Sequence, residues 1–97
     1  MIHVHYIFLF SIYYLRILVK DISGVLAKIT SNLNEEGISI ETILQTPDKN
    51  DSQEQIPIII ITHETTKKLL SNALTKIKKL DFVLDNIAAL TIDKSIN

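Results

Sequence analysis

The stretch "IPIIIITH", residues 56 to 63, restricts the possible folds of this chain more than any other. Four consecutive isoleucines, Ile58 to Ile61, are branched at Cβ and favour a strand over a helix. A strand this apolar is either buried on both faces or buried on one with a partner on the other. A sheet is therefore obligatory, and the rest of the chain has to surround it.

The remaining segments supply the sheet's other members. "YYLRILVK", Tyr13 to Lys20, is rich in aromatic and β-branched residues and reads as a first strand. From Val25 the period lengthens: Val25, Leu26, Ile29 and Leu33 share one helical face, while Lys28, Asn32, Glu35 and Glu36 fall mainly on the other. Gly37 stands where a left-handed residue would end that helix. "ISIETILQT" then alternates as a second strand, with Ile38, Ile40, Thr42 and Leu44 on one side. The polar stretch "PDKNDSQEQ" reads as a hairpin loop, so the strands flanking it should be antiparallel. Beyond the isoleucines, Thr62 is the expected N-cap of a second helix reaching about Leu80, with an apolar stripe of Leu69, Leu70, Ala73, Leu74, Ile77 and Leu80. "NIAALTID" makes a last strand. The order β-α-β, β-α-β predicts an α+β, ferredoxin-like βαββαβ sandwich: a four-stranded antiparallel sheet with two helices on one face. The other face is left without a cover.

The amino terminus, "MIHVHYIFLFSIYYL", is almost continuously apolar up to Arg16. It is shorter than the roughly 18 to 20 apolar residues of a membrane span, carries two histidines and is rich in β-formers. A strand, buried or over-extended, is preferred here to a membrane anchor. No secretory signal pattern is present. Residues 1–12 are set apart as an apolar extension and residues 13–93 as the folded domain. His3 and His5 would share a strand face, but two histidines without a third ligand are more often surface residues than a metal site.

Composition and motifs exclude most functions open to such a fold. A formal charge of −1 gives no electrostatic reason to expect nucleic acid or an anionic membrane. There are no cysteines for disulfides or a thiolate metal site, and cytoplasm is the default compartment. The third strand offers no aromatic on which a base could stack. "HETTK" lacks the second histidine of a zinc-protease motif, where Lys67 stands; His63 and Glu64 suit a first helical turn better. Glycines only at 24 and 37 allow neither a dinucleotide fingerprint nor a phosphate loop. No cofactor is implied, and the chain is not expected to be an enzyme. Gly24, in "DISGVLAKI", sits where strand gives way to helix. Its neighbourhood of free helix N–H groups could take a carboxylate as well as a phosphate, or the glycine could simply permit a tight turn and close helix packing.

"YYLRILVKDISGVLAKITSNLNEEGISIETILQ", followed by "IPIIIITHETTKKLLSNALTKIKKLDFV", resembles an ACT domain, the small amino-acid-binding module of metabolic enzymes. More narrowly, "YYLR", "GVLAKI", "GISIE" and "ITHET" together resemble the carboxy-terminal ACT domain of bacterial homoserine dehydrogenases. The resemblance implies a sensor that pairs with itself or another ACT domain and binds an amino acid at the interface. It places Asp21, Ser23, Gly24, Val25 and Leu26 in the binding loop and helix start. Ser39 and Ile40 fall at the strand facing the partner, and Gln45 at a position that helps recognise the ligand, with threonine the favoured one. The implied target is homoserine dehydrogenase in the aspartate pathway, held on a separate chain. Two departures qualify this: Ser23 replaces the family's usual proline, and the catalytic and cofactor-binding parts of the enzyme have no counterpart here. A truncated or split dehydrogenase remnant that senses nothing, and a free-standing regulator of another biosynthetic enzyme, stay open as alternatives.

Overall fold

A computed structural model of the chain describes residues 10–20, 23–45, 55–84 and 87–92. Strand β1 (Phe10–Lys20) is its centre, antiparallel on one side to β3 (Gln55–Thr62) and on the other to β5 (Ala88–Ile92). Strand β2 (Ile40–Gln45) pairs antiparallel with the outer side of β3. The order across the sheet is therefore β2, β3, β1, β5, with β1 also holding a two-residue strand, β4 (Thr65–Thr66). Helices α1 (Val25–Glu35) and α2 (Lys67–Lys78) provide the second layer. This is the expected ferredoxin-like sandwich. The first strand begins at Phe10, so three residues assigned to the amino-terminal extension belong to it. Residues 1–9, with His3 and His5, and the hairpin connection 46–54 lie outside the described residues.

Period-two burial explains why the layers form. On β1, Tyr13, Leu15, Ile17 and Val19 are buried, and on β3, Ile56, Ile58, Ile60 and Thr62. The ladder pairs Ile17 with Ile58 and Leu15 with Ile60, so both sets point to the same side. Against them pack Val25, Ile29 and Leu33 of α1 and Leu70, Ala73 and Ile77 of α2. Each such aliphatic side chain contributes about 1.5 to 3 kcal/mol by leaving water. The isoleucine run is thus buried on one face; Ile59 and Ile61, on the other, are only half-buried.

The helices end and meet by specific contacts. Gly37 (φ +79°) closes α1: its N–H donates to the Asn34 carbonyl at 2.9 Å, and the Ile38 N–H to the Leu33 carbonyl at 3.0 Å. That paired arrangement is the left-handed terminus expected there. Lys76 of α2 reaches Glu36 at 2.9 Å and Glu35 at 3.5 Å, and Asn72 donates to Glu36 at 3.5 Å. The hydrogen bond from Lys76 holds the Glu36 carboxyl below its ordinary value, and the same bond raises Lys76.

Two expectations for the segment after the isoleucines are overturned. Thr62 is not a helix cap but the last residue of β3, fully buried, and its hydroxyl accepts the Tyr13 backbone N–H at 3.1 Å. The cap is Thr66, in extended conformation, whose hydroxyl accepts from the Leu69 N–H at 3.1 Å. Nor do His63 and Glu64 form a helical turn. They separate β3 from β4 where the register against β1 advances by one residue, from Tyr14↔Ile61 to Ser11↔Thr65, which is a bulge. The strand's parity carried Thr62 into the core, and the bulge left the Tyr13 N–H needing an acceptor there. Thr62→Val should therefore cost about 1 to 3 kcal/mol, because it keeps the volume and orphans that buried N–H. Urea unfolding with an unchanged m-value measures the loss, and Thr62→Ser should recover most of it.

Candidate functional site

Gly24 is the N-cap of α1, with φ at +82° and no side chain capping the helix start. A Cβ built there meets nothing within 4 Å. The glycine is required by its backbone conformation, and close packing, one of the two roles weighed for it, is not the reason. The Lys28 N–H donates to the Gly24 carbonyl at 3.1 Å, closing the first helical turn. No acidic residue occupies that turn. Its N–H groups and the positive end of the helix dipole favour an anion. Ser23 and Gly24 are exposed, Val25 is buried as a core anchor, and Leu26 is half-buried. Asp21 lies outside the described residues.

The other expected residues divide between the two ends of the sheet. Gln45 closes β2 in register with Ile58, on the helix-covered face and exposed. Since β1 and β2 both run toward the end where α1 begins, Gln45 and Gly24 belong to that end. Ser39 and Ile40 are at the opposite end, where the Ser39 carbonyl accepts the His63 N–H at 2.9 Å and Ile40 pairs with Thr62. One chain therefore does not bring all eight residues together. Among the described residues, β2 pairs only with β3, which leaves its outer edge open.

Beside that edge runs a groove of about 410 Å³, lined by Ala27, Thr30, Ser31 and Asn34 of α1 and by Ile38 and Ile40. The α1 positions escaped the sequence reading. Their signal is there in the i, i+3, i+4, i+7 spacing of small and polar residues, but it looks like any solvated helix face. Among the described residues no group of three His, Cys, Asp or Glu could hold a metal ion. No helix among them is long and apolar enough to cross a membrane.

Comparison with known proteins agrees with the geometry. The ACT domain family model matches residues 13–82. The homoserine dehydrogenase of Pseudomonas aeruginosa is 33% identical over 87 residues, covering 87% of this chain and 19% of that enzyme. Among solved structures, a homoserine dehydrogenase from Thiobacillus denitrificans superposes with a TM-score of 0.75 at 34% identity, covering 87% of this chain and 18% of that one. The ACT domain of a Chlorobium tepidum GTP pyrophosphokinase shares the fold, at a TM-score of 0.65 and 18% identity, over 84% of this chain and 99% of its own. The chain spans about a fifth of the length of the dehydrogenases it matches.

The open space around Gly24 makes a clean test of its role. Gly24→Ala should cost about 1 to 2 kcal/mol, the penalty of a left-handed Cβ, with no steric addition. A loss near zero in urea unfolding would show that the turn can relax to negative φ.

Proposed function

The chain belongs to the ACT domain family, and from that premise we propose that it is a regulatory module that senses a free amino acid, threonine, in the cytoplasm. Its target is homoserine dehydrogenase activity carried by a separate polypeptide. The observation that carries this reading is the division of the site between the two ends of the open β2 edge. Two copies pairing antiparallel along β2 would turn Ser39 and Ile40 of one toward Gly24 and Gln45 of the other. The site is then complete only in the pair.

Each part has a chemical task. The ligand's carboxylate meets the N–H groups at the start of α1, from Gly24 to Leu26, where the helix terminus favours negative charge. Gln45 can both donate to and accept from a side-chain hydroxyl, and a site that does so rejects analogues lacking the group. The small residues of α1 beside β2 allow a second helix to approach. The similarity to part of homoserine dehydrogenases supports the choice of target. With no cofactor-binding motif in the sequence, the isolated chain is expected neither to oxidise homoserine nor to retain a nicotinamide cofactor.

Calorimetry with threonine, valine and lysine tests the ligand. Threonine should bind best, and Gln45→Ala should weaken it by about 1 kcal/mol, the worth of one neutral hydrogen bond. Absence of heat from all three at millimolar concentration overturns sensing and favours the remnant; unchanged binding in Gln45→Ala removes that residue alone.

Pairing is tested separately, and the cysteine-free sequence makes this simple. Single cysteines introduced from 41 to 45 should form covalent dimers on oxidation where the strands cross, since a disulfide needs Cα atoms within about 4.4 to 6.8 Å. Cross-linking only from the open face, as with Ile59→Cys, would dismantle the shared site.

A further inference from the structure

The opposite edge of the sheet carries a different and unassigned surface. All five residues of β5 are exposed, including the apolar Leu90 (62%) and Ile92 (38%). A core strand is normally covered on one face, but here no residue of β5 is buried. Between α2 and β5 lies a cleft of about 540 Å³, floored by Tyr13, Leu70, Leu74 and Ala89. Lys67 and Lys78, the first and last residues of α2, line its two ends. Among the described residues no strand pairs with the outer edge of β5.

We infer that this edge is a docking groove for an extended peptide segment, apolar in its middle and acidic at its ends, that adds to β5 as a further strand. Three features select that occupant. An edge strand offers every second backbone N–H and carbonyl to a newcomer. The cleft has the length of such a segment: eleven residues of helix separate Lys67 from Lys78, roughly 16 Å, which is about the span of five residues of strand. The added strand would direct alternate side chains onto Leu70, Leu74 and Ala89, and the others beside Leu90 and Ile92.

Charge decides the ends and excludes the obvious rival. Helix α2 carries Lys67, Lys68, Lys76 and Lys78, followed by Lys79, and among the described residues only Lys76 of these forms an ion pair. A second copy pairing β5 with β5 would set two such helices side by side, like charge against like. Acidic ends on a foreign strand would meet a lysine at each end of the cleft instead. Self-association is therefore assigned to β2 and heterologous docking to β5, independently of which amino acid the other edge senses.

The probes are two blocked pentapeptides, acetyl-Glu-Val-Val-Val-Glu-amide and acetyl-Lys-Val-Val-Val-Lys-amide, whose first, third and fifth side chains share one strand face and can meet Lys67, the Leu70–Leu74 floor and Lys78 together; they are titrated into the full chain and followed by amide NMR shifts. The acidic peptide should perturb residues 88–92 and the α2 residues facing them at millimolar concentration, and more salt should weaken it. The basic peptide should bind about tenfold more weakly, the effect of two exposed ion pairs replaced by two repulsions. Lys67→Glu/Lys78→Glu should reverse the preference, and Lys67→Gln/Lys78→Gln should abolish it. These surface positions leave the core intact, so the folded spectrum is the control. No perturbation of β5, equal binding of both peptides, or covalent self-dimers from Leu90→Cys on oxidation would each overturn the assignment.

Discussion

The seven-residue ladder between β1 and β3 is the constraint on which the rest of this molecule depends. Tyr14 to Lys20 pair with Ile61 to Gln55, and alternate members on each strand are buried, Leu15, Ile17, Val19, Ile58 and Ile60 completely. Because side chains alternate with period two, a slip of one residue would exchange Leu15, Ile17 and Val19 for Tyr14, Arg16 and Leu18. The exchange would drive the Arg16 guanidinium beneath the helices, at the cost of burying an unpaired charge. Register is therefore fixed by burial, and everything attached to the ladder inherits its position. The bulge at His63 and Glu64 can advance the register by one residue because it comes after the last core pair. The single buried N–H it exposes is met by Thr62.

With that centre fixed, the two sheet edges become unequal. On the β2 side the flanking helix, α1, presents small and polar residues and mixed charge. On the β5 side α2 presents lysines. The edges also differ in cover: Ile40 and Ile43 of β2 pack against the core, while β5 has both faces exposed. A sheet with two open edges risks indiscriminate pairing, and unequal flanks are one way to make the edges select different partners. Fold alone would not distinguish them, since the strand order is symmetric in kind; the residues on the adjacent helices do.

Much of this was legible from pattern alone, for physical reasons. The isoleucine run and the helical spacing of Val25, Ile29 and Leu33 each reflect burial, which writes a periodic signal; the single face expected for Ile38, Ile40, Thr42 and Leu44 is instead broken by a register shift between Ile40 and Thr42, which sets Ile43 against the core and leaves Leu44 exposed. Gly37 was legible because a left-handed helix terminus strongly selects glycine. Thr62 misled because threonine caps helices and also occupies strands, and "THETTKK" contains three threonines to choose from. Strand parity would have favoured core burial at 62. The site was only partly legible. Gly24 could be nominated from its place before a helix and Gln45 from resemblance, but their separation from Ser39 and Ile40 depends on strand direction. The groove along Ala27, Thr30, Ser31 and Asn34 carries no signal beyond an ordinary polar helix face. The bare flank of β5 could not be read either, because it depends on how α2 lies across the sheet, leaving a cleft beside β5, and not on any residue in β5.

Paired along β2 as proposed, such a module could transmit a signal without changing its own fold. A ligand shifts an equilibrium only by its difference in affinity between states. A site completed by two chains has that difference built in, because the single chain holds only half the contacts. Ligand binding and pairing are then linked, each favouring the other by the same factor. Because the seven-pair β1–β3 ladder joins the two edges, the proposed pairing along β2 would also fix how two β5 edges are presented on the far side. The spacing and direction of those far edges is a property of the pair alone. Any partner held there at both edges would experience the amino acid as a change in geometry, with the β1–β3 ladder as the lever that carries it.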